Sequence, residues 1–191
     1  MFKSKIHLGI IFFITTVITL SVTVAQAWTL QSPVSGYITN REIVGYSFGD
    51  NWYSGYCGGK VKRHVGVDVA SYVGEPIYAA YDGWVKVAQT NQTWGGFVTI
   101  DHAPTHTFLL TTVYWHLKPT VSANTWVSKG AIIGYICYLS SGTHFHFGVR
   151  KAGYSNVSNA GALPQQNCGG YPAYPENFID PLSLRYEYNY N

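Results

Sequence analysis

The chain has 191 residues, 47% of them apolar and only 11% charged, where an ordinary globular protein carries about 25% charged residues. Such a composition fits one ordinary domain, or two very small ones, and excludes a disordered chain, a coiled coil and a charged tail. The formal charge of +3 comes with no Lys/Arg run to track a nucleic-acid backbone, which leaves an anionic polymer surface as the compatible kind of partner. Seven histidines nearly equal the nine acidic residues, an unusual ratio.

In chain order, residues 1–27 read as a secretory signal. Lys3 and Lys5 open it, an apolar run diluted by threonines covers 8–24, and Ala25-Gln26-Ala27 forms a small-x-small cleavage site before Trp28. The competing reading is an uncleaved anchor, since the run is long for a signal and short for a span. Nothing later is apolar enough to cross a membrane. The rest predicts an all-β fold: short runs rich in Val, Ile, Thr, Tyr and Trp alternate with Gly, Asn, Ser and Pro, with no sustained helical period. Strands are expected at 65–71, 76–79, 83–89, 97–101, 108–117, 131–139 and 144–150. They fit a compact antiparallel sandwich or a sheet folded on itself. Residues 45–63 and 151–176 read as long loops of the kind that edge a functional cleft. Tyr53, Tyr56, Tyr154, Tyr171 and Tyr174 in or beside them are candidates to line a groove, although such residues as readily fill a β core. Cys57, Cys137 and Cys168 predict one disulfide and one leftover thiol, all three pairings being open. No C-x-x-C is present to make a Cys-based zinc site.

The histidines fall into a pattern. His64 and Asp68 lie four apart, but the valines between and beyond them favour a strand, on which four residues span about 13 Å. Two ligands of one metal sit about 2.0–2.2 Å from it, so the chain must turn between them, and Gly66 is the residue to permit that. Val67 and Val69 then point inward and Asp68 outward. In His144-Phe145-His146-Phe147 the period of two puts both imidazoles on one strand face and both phenyls on the other. Two such histidines, about 6.6 Å apart, can serve one site, one as ligand and one over an open position. Tyr114-Trp115-His116-Leu117 has the same alternation, which predicts Tyr114 and His116 on a common face and makes Tyr114 a candidate to line the cleft or, equally, a half-buried strand residue. Singly these motifs are weak; their joint presence in this order is specific.

That order closely resembles the lysostaphin-type (LytM-type) zinc metallopeptidases, which are peptidoglycan endopeptidases. The stretches that carry it are HVGVDVASYVGEPIYAAYDGWV, GGFVTIDH, TVYWHLKP, VSKGAIIGYI, SGTHFHFGVR and FIDPLSL, running from about His64 to Leu182. The resemblance implies a LytM-like fold, with 28–63 as an N-terminal segment packing near the cleft and 64–191 as the catalytic domain. It implies one Zn2+ per chain held by His64, Asp68 and His146, an open fourth position for water, and His116 and His144 as the catalytic pair. With no H-E-x-x-H to offer a Glu as base, the histidine pair takes that role, either member being eligible. His102 is read as structural and His106 as a surface residue. Shortening of 136–143 and lengthening of 151–176 depart from the family pattern, and a Cys137–Cys168 bridge would staple that rim; Cys57 as a ligand is the minor alternative. The expected function is an exported, secreted or periplasmic and wall-associated, monomeric zinc endopeptidase acting on peptide cross-links of bacterial peptidoglycan. The rival classes are a non-catalytic regulator, argued against by the complete residue set, and a wall-binding module. Residues 28–63 are also candidates to shield the cleft, with Asp50 or Asn51 at the open zinc position.

Overall fold

The computed structural model describes residues 29–53, 61–102, 109–154 and 177–188. Thirteen strands are formed among them: β1 (Thr29–Gln31), β2 (Asn51–Tyr53), β3 (Val61–Arg63), β4 (Val67–Ala70), β5 (Pro76–Tyr78), β6 (Gly83–Gln89), β7 (Gly96–Asp101), β8 (Thr111–Pro119), β9 (Trp126–Val127), β10 (Ile132–Ile136), β11 (His144–Arg150), β12 (Phe178–Ile179) and β13 (Arg185–Glu187). Two short 3-10 turns, Ile38–Asn40 and Pro181–Ser183, are the helical elements named among the described residues. The fold is all-β, as the β-branched and aromatic runs require.

Nine strands make one antiparallel sheet with β8 at its centre. One long side of β8 pairs with β7, followed by β6 and the edge strand β9. The other side is shared. β11 pairs with the first half of β8, as far as Trp115, and β10 with the last part, from Leu117. β11 in turn carries β4 alongside its start, with His146 opposite Asp68, and β12 alongside its end. Two pairs stand apart. β1 and β13 run parallel and bring the two ends of the described chain together. β2 and β3 form a hairpin within the expected loop 45–63.

The core shows why this order is stable. Val67 and Val69 of β4 and Phe145 and Phe147 of β11 are fully buried on one face, with Tyr114, Leu117, Ile77, Ile100 and Ile133. Each such apolar side chain contributes about 1.5–3 kcal/mol on burial. A smaller cluster of Val65, Phe97, Val113, Trp115 and Phe178 packs on the other face, with Phe97 and Trp115 stacked 4.9 Å apart. Leu30, Val34 and Ile38 belong to the main core, so the N-terminal segment is an integral part of this hydrophobic unit.

The expected strand 131–139 is shorter, Ile132–Ile136, although the next amide, that of Cys137, still donates in register to the carbonyl of His116 (2.8 Å). The expected strand 108–117 begins at Thr111 and continues to Pro119. Cys137 is a free thiol, so the expected Cys137–Cys168 bridge is not formed. Phe108, His106, Cys57, Cys168 and most of 151–176 lie outside the described residues, and with them the groove roles of Tyr56, Tyr171 and Tyr174. The same is true of 1–27. No helix among the described residues is long and apolar enough to cross a membrane.

Candidate metal centre

His64 leaves β3, the chain bends at Gly66, and Asp68 re-enters the sheet in β4. The bend is where the sequence places it, but its cause is space: Gly66 has no left-handed backbone. A Cβ there would lie 2.3 Å from the Phe147 carbonyl oxygen and 2.8 Å from the His146 ring, closer than real Cβ contacts allow. Gly66 thus lets the His64–Asp68 segment fold down onto β11. The period of two in β11 holds: Phe145 and Phe147 enter the core while His144 and His146 face Asp68.

Three basic atoms converge there. His64 Nε2 lies 2.9 Å from His146 Nδ1, His146 Nδ1 lies 2.9 Å from Asp68 Oδ1, and His64 Nε2 lies 3.2 Å from Asp68 Oδ1. All three residues are buried. A tetrahedral zinc with bonds of about 2.0–2.1 Å sets its ligands about 3.3 Å apart, so the triangle has the right size for one. The protonation pattern agrees. His64 Nδ1–H donates to the Ser47 carbonyl (3.1 Å), which leaves a lone pair on Nε2. Facing it are a carboxylate and an imidazole that together hold one proton at most, an arrangement that a cation completes. Asp68 Oδ2 accepts the Tyr46 N–H (3.1 Å), leaving Oδ1 for the centre. Burial raises the Asp68 pKa, but hydrogen bonds and charge from His146 and His64 outweigh it and hold the carboxyl well below the usual range. Burial lowers the pKa of His146, which its contact with Asp68 offsets in part. His146 is thus kept in the neutral form that a metal needs.

His116 and His144 meet beside this triangle, their rings 4.4 Å apart and steeply inclined. His116 Nδ1–H donates to the Trp94 carbonyl (2.7 Å) and His144 Nδ1–H to that of Gly142 (2.8 Å); each keeps Nε2 free of those bonds. His144 Nε2 lies 3.8 Å from Asp68 Oδ1. Burial, followed by the nearby His144, pushes the His116 pKa down to about 3, so His116 is neutral at ordinary pH.

The family model of peptidase family M23 matches residues 62–158, just over half of the chain and all five of these residues. The chain belongs to peptidase family M23. The resemblance read from the sequence motifs is borne out. Within the family it is 34% identical over 110 residues to the peptidoglycan DD-endopeptidase ShyC of Vibrio cholerae, an alignment covering 56% of this chain and 24% of that one. It aligns with a zinc-containing peptidase from Vibrio cholerae at a TM-score of 0.50 and 26% identity, over 64% of this chain and 37% of that one. The chain thus spans between a quarter and two fifths of the length of these relatives. The SpoIIQ–SpoIIIAH pore-forming complex contains the same fold, with a TM-score of 0.52 at 24% identity, over 65% of this chain and 85% of that one.

Two sequence expectations for this M23 chain need correction. Tyr114 does not line the cleft and does not share a face with His116. It is fully buried in the main core, where its hydroxyl accepts the Ala80 N–H (2.8 Å) and bonds Thr112 Oγ1 (2.9 Å). The reason is an extra residue. Phe97 of β7 pairs with Trp115 and Gly96 with Leu117, so His116 is a bulge with a left-handed backbone (φ 70°). A bulge re-aims one side chain, and here it does so in the gap where the partner of β8 changes from β11 to β10. Asp50 is not directed to the open position either: its Oδ2 accepts the Ser47 N–H (2.7 Å) and closes its own turn. His102 is internal, as read, with Nδ1–H donating to the Asp82 carbonyl and Nε2 bonded to Thr112 Oγ1. The sequence reading missed Ser47, Tyr46 and Trp94. All three act through backbone atoms, which leave no side-chain signature.

Proposed function

We propose that this chain is an exported zinc endopeptidase that hydrolyses peptide cross-links of bacterial peptidoglycan. In this reading 1–27 is the signal and 64–191 the catalytic domain, working as a monomer in the periplasm, at the cell wall or outside the cell. One observation carries it: the 2.9–3.2 Å convergence of His64, Asp68 and His146 beside the His116–His144 pair, within a chain of a peptidase family. The peptidoglycan substrate rests on the named relative.

His64 Nε2, His146 Nδ1 and Asp68 Oδ1 would hold the zinc, which when bound polarises the scissile carbonyl and acidifies a water. The chain's own residues then do the following. His116, with Nδ1–H fixed on Trp94, offers the lone pair of Nε2 as the general base that takes the water's proton. His144 is less buried than His116 and places its Nε2 3.8 Å from Asp68 Oδ1. It hydrogen-bonds the carbonyl oxygen as negative charge develops, or gives a proton to the departing amine. Ser47 and Tyr46 hold His64 and Asp68 in the orientation that binding needs.

The test is zinc-loaded protein on several peptidoglycan types, following new amino groups and weighing the fragments by mass spectrometry. Release that stops with a chelator and is lost in His144→Ala is the expected result. Failure to release amino groups from any wall, with one zinc still bound, would overturn it in favour of a non-catalytic regulator.

A further inference from the structure

We propose that residues 42–50, upstream of the stretch matched to the family, form a positioning clasp for the metal-binding trio, and that Gly45 sets the place of Asp68. This rests on the zinc reading above. Asp68 is gripped from two sides. β11 holds one edge of its strand, and the clasp holds the other: Val44 N–H donates to the Asp68 carbonyl (3.1 Å), Asp68 N–H donates to the Tyr46 carbonyl (3.0 Å), and Ala70 N–H donates to the Glu42 carbonyl (2.8 Å). Beyond the bend, Gly49 N–H donates to the His64 carbonyl (2.9 Å) and His64 N–H to the Asp50 carbonyl (3.0 Å). The same short segment supplies one bond to each of two ligand side chains, Ser47 C=O to His64 Nδ1–H and Tyr46 N–H to Asp68 Oδ2. These two bonds decide which atom of each residue is left for a metal.

Gly45 is what permits this approach. A Cβ at that position would lie 2.6 Å from Asp68 Oδ2, 2.8 Å from its Cβ and 3.1 Å from its Cγ. The near atoms belong to a short side chain on β4, held between β11 and the clasp, so relief requires Asp68 to leave its place or the clasp to withdraw. Either motion breaks the triangle. Partners that orient ligands in this way are worth about 10–100-fold in metal affinity. The clasp also opposes the idea that 28–63 is a removable shield.

The experiment compares wild-type protein, Gly45→Ala and Leu30→Ala. Leu30 is a core residue of the same N-terminal segment with no bond to the trio, so it controls for lost stability. Zinc affinity is measured by competition with a chromophoric chelator, and the cobalt-substituted forms are compared by visible absorption. A Gly45→Ala affinity about 10–100-fold weaker with an altered cobalt spectrum, beside wild-type values for Leu30→Ala, is expected. Wild-type affinity in Gly45→Ala, or an equal loss in Leu30→Ala, overturns the clasp while leaving the zinc reading intact. A wild-type protein that binds no zinc overturns the zinc reading and the clasp with it. Should Gly45→Ala not fold, amide hydrogen exchange of the wild type decides. Zinc should slow exchange at Val44, Tyr46 and Gly49, and unchanged rates at all three would overturn the proposal.

Discussion

At the scale of the residue, His116 carries the most local information. Its backbone is left-handed (φ 70°), a conformation uncommon for residues other than glycine and stored mostly at functional sites. Its ring is buried, neutral and oriented by one carbonyl. His116→Ala should therefore leave zinc content at one per chain and lower kcat by about 10²–10⁴-fold, the usual worth of general acid–base catalysis. Metal analysis with turnover on a cross-linked peptide checks this, and a variant that turns over at the wild-type rate would remove His116 from the mechanism.

At the scale of the element, the junction of β8 with β10 and β11 makes the site. β11 and β10 lie end to end along one side of β8, and His116 bulges into the gap between them. Two residues earlier Tyr114 reaches through the core to the chain beyond β5, where its hydroxyl holds the Ala80 amide. Tyr114→Phe should cost about 1–3 kcal/mol, because it leaves a buried N–H without its partner. Urea unfolding of the two proteins measures this, and equal midpoints would show that the Ala80 amide finds another acceptor. How far these elements were legible depends on whether side-chain periodicity survives. In β11 it does, and HFHF alone gave the right faces. In β8 one added residue shifts the phase by one, so Tyr114 was assigned to the wrong side. A bulge is a property of the pairing with β7, and no pattern within β8 announces it.

At the scale of the whole molecule, acid should weaken the metal-free protein. His116 has a folded pKa of about 3 against 6.5 for an unperturbed histidine. Between those values the unfolded chain binds the extra proton, so stability falls as the pH drops through this window and is fully kept above it. His146 is shifted in the same direction. Asp68, held low, contributes stability above its unfolded value of 3.8 and loses it as the pH falls further. The three groups act in the same sense. Chelated protein should thus melt at a lower temperature at about pH 5 than at about pH 7.5, and calorimetry over that range checks it. An unchanged Tm would mean that the buried histidines take up protons in the folded state.

The sequence by itself determined the β class, the bend at Gly66, the two faces of β11 and the identity of the five residues that meet at the centre. The first three follow from propensity and alternation, and the five residues from motifs joined by their resemblance to the lysostaphin-type family. Only the tertiary structure decided the rest. It gave Gly66 a steric reason, placed Tyr114 in the core, set His116 on a bulge, joined 29–53 to the same hydrophobic unit, and brought the clasp against Asp68. Each depends on backbone groups or on empty volume between segments distant in sequence. A carbonyl, an amide and the room for a missing Cβ are the same in every sequence until the chain is folded around them.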